Sequence, residues 1–159
     1  TRTGTAPHSK KVGTMAKEQS VSASRLIDAP AHVIFSILAD PSRHAEIDGS
    51  GTVRGTKDET PKRLQLGSKF GMKMKIFVPY DMRSTVVEYE ENKLLAWAHF
   101  GKHRWRYELE EVDGGTMVTE TFDWSTALVP KAIELAGYPK KHLPNMQKTL
   151  ERLEAVATA

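Results

Sequence analysis

The chain has 159 residues, 39% hydrophobic and 27% charged, with no cysteine; one domain with a sizeable core fills that length, and neither a disulfide framework nor a thiolate metal site can form. No apolar run approaches the roughly 18 residues of a membrane span, and no charged-then-apolar start resembles a signal peptide, so a cytoplasmic location is expected. The formal charge of +3 comes from Arg2, Lys10 and Lys11; without them 20 Lys+Arg face 20 Asp+Glu, and a neutral body argues against nucleic acid as a partner.

Residues 1–16 are polar and aperiodic and read as a disordered tail, with one folded unit over 17–159. "SVSASRLIDAP" (20–30) alternates as a first strand. Pro30 then opens a helix in which Val33, Ile34, Ile37 and Leu38 recur at helical spacing, and Asp40-Pro41 closes it. "PSRHAEID" predicts a second short helix; His32 on the first helix and His44 on the second would both be exposed. "GSGTVRGT" reads as a strand entered through glycines; its glycines at 49, 51 and 55 miss the spacing of a dinucleotide loop. Residues 68–78 alternate strictly, with Phe70, Met72, Met74 and Ile76 on one face. Strands follow at "DMRSTVVEYE", "LLAWAHF", "RWRYELEEV" and "TMVTETFDWS", separated by Asn92-Lys93, Gly101-Lys102 and Asp113-Gly114. From Lys131 the pattern turns helical. Gly137 and Pro139 interrupt it, and Leu143, Met146, Leu150, Leu153 and Ala157 then form one stripe, with Pro144 expected in the first turn of the last helix.

If Asp113-Gly114 is a two-residue turn, Leu109 faces Val118, Tyr107 faces Glu120 and Trp105 faces Phe122, with Trp124 continuing that side. The preceding hairpin has two readings. A two-residue Gly101-Lys102 loop sets Ala96 and Ala98 beside Tyr107 and Trp105. A three-residue loop through His103, with a bulge, sets Leu95, Trp97 and His99 there, and is preferred because it unites the large side chains. The inner face then offers a candidate ligand wall of Phe70, Met72, Met74, Ile76, Trp97, Trp105, Phe122 and Trp124, completed by Met146 and Leu150 of the last helix. Glu120 is the odd member: a carboxylate among rings must be paired or have its pKa raised. Tyr107 and His99 are its candidate partners, and these three are the candidate catalytic groups. Arg83 and Arg106 would face outward. His99 and His103, four apart on a hairpin, are not expected to converge, and neither a metal site nor a cofactor is expected.

The segments "IDAPAHVIFSILADP" (Ile27 to Pro41), "GGTMVT" (Gly114 to Thr119) and "TLERL" (Thr149 to Leu153) resemble the START/Bet v 1-like (SRPBCC) superfamily, in its polyketide cyclase/dehydrase and lipid-transport branch. That resemblance spans roughly residues 17–157. It implies an α+β helix-grip fold, in which a curved antiparallel sheet wraps a long C-terminal helix around an internal hydrophobic cavity. It implies no catalytic residue, since none is common to the superfamily. Three functions follow in order. The first is a carrier or sensor of a hydrophobic small molecule, such as a lipid, an isoprenoid or a polyketide-like compound. Next come a cyclase/dehydratase with Glu120 or His99 as base and Tyr107 as donor, and an interaction module of the chaperone-activator type. No stable membrane insertion is expected, and the chain should be a monomer or a weak homodimer.

Overall fold

Seven stretches of alternating sequence become strands of one antiparallel sheet: β1 (Ser20–Ile27), β2 (Val53–Thr56), β3 (Lys69–Lys75), β4 (Pro79–Glu90), β5 (Leu94–His99), β6 (Arg104–Val112) and β7 (Gly115–Asp123). The computed structural model describes residues 19–56 and 60–159, so the tail expected over 1–16 lies outside the described residues. The spatial order is β1-β7-β6-β5-β4-β3-β2. From β2 to β7 each strand pairs with its neighbour in sequence, whereas β1 joins the far edge by pairing with β7, Ser20 opposite Asp123.

Between β1 and β2 the chain forms α1 (Ala31–Leu38), a 3-10 turn (Pro41–Arg43) and α2 (His44–Ile47). Pro30 precedes α1, whose buried face is Ile34, Phe35, Ile37 and Leu38. The Asp40 carboxylate accepts the Ser42 N–H and caps the 3-10 turn. After β7 come α3 (Pro130–Leu135) and α4 (Tyr138–Ala157). Gly137, at φ 72°, makes the left-handed break between them, and Pro139 occupies the second position of α4. Pro144 therefore lies inside the helix and not in its first turn, because Gly137 and Pro139 fix the start further upstream. α4 buries Met146, Thr149, Leu150 and Leu153, with Leu143 and Ala157 half-buried against the core. It packs mainly on β1. The Arg25 guanidinium forks onto the Glu154 carboxylate, Nε to Oε2 at 3.1 Å and Nη2 to Oε1 at 3.0 Å, and ties that helix to the strand.

The Asp113-Gly114 turn has the expected register, with Val112 opposite Gly115 and Tyr107 opposite Glu120. In the β5–β6 hairpin Leu95 lies opposite Tyr107 and Trp97 opposite Trp105, so the preferred set takes the inner face, although the turn closes over His99–Lys102 and does not run through His103. Its loop closes with the Lys102 N–H donating to the His99 carbonyl at 2.9 Å, and Lys102 takes φ 64°. One expectation fails at the other side of the sheet. β3 ends at Lys75, so Ile76 falls in the turn to β4, where it is 60% exposed, and is not part of the wall. Two glycines permit close approach: a Cβ on Gly49 would sit 2.3 Å from the Asn145 carbonyl oxygen of α4, and one on Gly115 would sit 2.1 Å from the Ile27 oxygen of β1.

Candidate functional site

Pairing across the sheet arranges the inner side chains in rows. One row runs Ala23, Glu120, Tyr107, Leu95, Tyr89; the next runs Val21, Phe122, Trp105, Trp97, Val86; a third holds Phe70, Ser84 and His99. An irregularity between Val86 and Glu88 in β4 lets Val86 and Tyr89 share this face despite their odd spacing. Rings fill the middle row, where Trp105 lies 4.8 Å from Phe122, and join it to the first, where Trp97 lies 5.6 Å from Tyr107, centroid to centroid. Phe70, Met72, Phe122, Trp124, Met146 and Leu150 are buried, while Met74, Trp97 and Trp105 are half-buried. Nine of the ten side chains expected to line the wall thus sit in or against one core, and Ile76 does not.

Glu120 is 3% exposed. The Tyr107 hydroxyl donates to its Oε1 at 3.0 Å, and Oε2 has no hydrogen-bond partner. Burial raises the carboxyl pKa to about 8; the Tyr107 hydrogen bond pulls it down and the charge of Asp48 pushes it further up. Burial and the Glu120 charge likewise drive the Tyr107 hydroxyl well above its ordinary value. His99 does not share this pair. It lies in another row and binds the Ser84 hydroxyl through Nδ1 at 2.7 Å. Burial first, then the charge of His103, lowers its pKa to about 4. The structure therefore assembles Tyr107–Glu120 as a unit and sets His99 apart.

Ring contacts contradict the readings of His99 and His103 as separate and of His44 as exposed, and they bring in His142, of which nothing was expected. His99 and His103 do meet, 5.2 Å apart edge to face, because the loop brings their strands' ends together. His142 of α4 closes over Phe122 at 4.7 Å and Trp105 at 5.0 Å; burial lowers its pKa to about 4, helped by His103 and Lys141. His44 is buried, not exposed: its Nε2 bonds the Leu38 carbonyl at 2.8 Å and its ring stacks on Trp97 at 5.1 Å. Burial pulls its pKa down. His142 could have been found in the sequence, since it stands four residues before Met146 on the apolar stripe. Among the described residues no group of three or more His, Asp or Glu side chains is arranged to hold a metal ion.

The outer face is polar, as expected for Arg106. Its guanidinium binds Glu88 at 2.8 Å and Asp123 at 3.2 Å, and Arg104 joins the same Glu88 at 3.2 Å. Arg83 is exposed. Two concavities lie away from Glu120. One, of about 440 Å³, lies at β3–β5 and is lined by Lys69, Gly71, Arg83, Thr85 and Phe100, and also by Phe70, Ser84 and His99 of the third row. The other, of about 300 Å³, lies between the 3-10 turn and residues 60–62. Neither reaches Glu120.

The same architecture recurs in solved structures. An AHSA1-like protein from Aeromonas hydrophila superposes with a TM-score of 0.63 at 20% identity, covering 88% of this chain and 95% of that one. Protein CV1439 from Chromobacterium violaceum gives 0.70 at 15% identity, over 89% and 98%. Protein Ms6760 from Mycobacterium smegmatis gives 0.66 at 17%, over 88% and 91%. Identities this low establish the fold alone. In sequence, the uncharacterized protein Rv0088 of Mycobacterium tuberculosis is 44% identical over 139 residues, which are 84% of this chain and 62% of that relative. Protein MT0096 from a second strain is 43% identical over the same shares. The chain thus spans under two thirds of the length of the curated relatives it matches. Residues 18–158 match the family described as polyketide cyclase / dehydrase and lipid transport. With a seven-stranded curved sheet gripping α4 and that match over nearly all of its length, the chain belongs to the polyketide cyclase/dehydrase and lipid transport family.

Proposed function

We propose that this protein binds a mainly apolar small molecule carrying a carbonyl or hydroxyl group, as a carrier or sensor, with the ring row Trp97–Trp105–Phe122 as its wall and Glu120 as its polar anchor. The observation that carries this reading is the unpartnered Oε2 of Glu120. With a pKa of about 8 the carboxyl is mostly protonated at neutral pH. One oxygen accepts from Tyr107, and the acid proton on the other is a donor facing an apolar interior. A buried donor without an acceptor costs free energy, and a ligand oxygen placed there removes that cost. Trp105, Met74 and His142 are half-buried, so in this reading a ligand enters by displacing such flexible or edge-on side chains.

Native mass spectrometry of freshly purified protein, followed by solvent extraction, tests the proposal directly. A bound apolar compound with an oxygen function is expected, and adding it back should quench the fluorescence of Trp97 and Trp105. Replacing Glu120 with Leu should weaken that compound roughly tenfold through the lost hydrogen bond. A clean apo mass, together with no fluorescence response to long-chain ketones or alcohols, overturns the reading.

The buried Glu120–Tyr107 pair also supports a second reading, a cyclase/dehydratase. Its chemistry is constrained: a carboxyl with a pKa of about 8 works as an acid at neutral pH and becomes a base only above that value. Turnover of a poly-ketone with Glu120 as base should therefore rise with pH through about 8 and vanish in Glu120→Gln. A flat profile would remove Glu120 from the base role.

A further inference from the structure

We propose that one end of the sheet docks on the surface of an anionic lipid bilayer. Antiparallel pairing brings three connections to that end, the β3–β4 turn, the β5–β6 loop and the segment after β7, and the α3–α4 junction joins them, since Tyr138 stacks on His142 at 5.8 Å and His142 meets Trp105 at 5.0 Å. The Leu128 N–H donating to the Gly101 carbonyl at 2.9 Å joins two of them. Tyr138, at the start of α4, lies close enough to Tyr80 of β4 to affect its ionisation.

Among the described residues eleven large hydrophobic side chains are exposed, and eight of them belong to this end. Phe77 is 93% exposed at the tip of an Ile-Phe-Val turn, Phe100 is 86% exposed in the next loop, and Leu135 is 89% exposed on α3. Leu128 and Val129, at 65% and 62%, complete the set. A concentration of this kind on one pole is unlike the scattered apolar exposure of an ordinary surface.

Charge identifies the occupant. Lys73 and Lys75 flank the Ile-Phe-Val turn, Lys102 follows Phe100, Lys131 lies on α3, and Lys140 and Lys141 open α4; all six are exposed. Of the carboxylates at this end, Asp81 lies opposite Lys73 in the β3–β4 pair, Asp123 is held by Arg106 and Ser125, and Glu134 accepts from the Trp124 indole N–H at 3.0 Å. Apolar tips on separate turns, ringed by lysines, match the layered chemistry of a lipid interface: acyl chains inside, anionic headgroups around. The same end carries Trp105 and His142, so a bilayer-seated protein would present its interior to the lipid phase. The docking stands on exposure and charge and does not depend on what the interior holds.

The test is co-sedimentation of the full chain with vesicles of phosphatidylcholine alone and of phosphatidylcholine mixed with phosphatidylglycerol. The protein should pellet with the mixed vesicles and far less with the neutral ones, and added salt should release it. Phe77→Asp combined with Leu128→Asp should weaken binding about tenfold or more. Lys73→Glu with Lys75→Glu should do so by a similar factor. All four positions are exposed, and circular dichroism should show both variants folded. Wild-type protein remaining in the supernatant with both vesicle types overturns the proposal. So does full binding by the Phe77→Asp, Leu128→Asp variant, which would assign attachment to the basic segment of Arg2, Lys10 and Lys11. A dimer in light scattering that this variant dissolves would give the face to a second copy of the chain. An empty interior in mass spectrometry leaves all these outcomes readable.

Discussion

Burial holds the Glu120 carboxyl near pKa 8, whereas the unfolded chain titrates it near 4.5. The folded state therefore keeps a proton that the unfolded state gives up between those values. The resulting stability is fully present below pH 4.5 and lost as pH rises through 8, a swing on the order of 5 kcal/mol. Glu120→Gln keeps an oxygen for the Tyr107 hydroxyl and removes the ionisation. Denaturant titrations should find the variant more stable than wild type above pH 8, and equal slopes with pH in the two proteins would show that Glu120 titrates normally. His44 makes a different residue-scale case. Its ring fills space against Trp97 and Phe70, so His44→Ala should cost about 2–4 kcal/mol by leaving a cavity and a bare Leu38 carbonyl; an exposed histidine would cost almost nothing. Glu120 was legible in the sequence because an acid at strand period among rings is conspicuous. His44 was not, because the stack that buries it comes from a strand more than fifty residues away.

At the scale of elements, the β5–β6 hairpin decides which residues form the wall. Its loop forces Lys102 into the left-handed region, which costs a side-chain-bearing residue about 1 kcal/mol. Lys102→Gly should raise stability by up to roughly that amount, the gain being reduced by glycine's extra freedom when unfolded; a loss would mean the Lys102 side chain holds the loop. The short turn before α4's contact is less forgiving. Gly49 donates its N–H to the Thr149 hydroxyl at 2.9 Å with no room for a Cβ. Gly49→Ala must push α4 away and should lower the melting temperature by several degrees, as expected of about 1–3 kcal/mol in a domain of this size. Period-two alternation and the Asp113-Gly114 turn made the β6–β7 register readable in advance. Ile76 went the other way: alternation continues one residue past Lys75, while the turn that Pro79 demands on re-entry has already left the sheet. Pattern records which face a residue would take, and it is silent on where pairing stops.

Over the whole molecule the buried histidines oppose Glu120. His99 and His142 fall to about 4 from 6.5, and His44 and His103 are lowered as well. A depressed histidine contributes stability above 6.5 that is lost as pH falls towards 4, since the unfolded chain takes up protons first. Acid weakens the fold through several imidazoles and alkali through one carboxyl, so stability should peak near neutrality. Thermal melts across the pH range would check this, and a maximum below pH 5 would contradict the buried state of the histidines. The architecture itself was legible because strand period, turn chemistry and the helical stripe all agree; the apolar pole was not, because it is assembled from four separate connections. The pairing of β1 with β7 carries a consequence in time. Ribosomes deliver the chain from its N-terminus, so β1, with Ala23 and Ile27 of its inner face, is made early, yet its sheet partner arrives about a hundred residues later, a long loop to close. At the pace of translation that is a wait of several seconds, during which the first strand has no partner strand. The sheet closes only when β7 has emerged, and the lock that Arg25 makes with Glu154 comes later still, which makes the strand nearest the N-terminus among the last to gain its native partners.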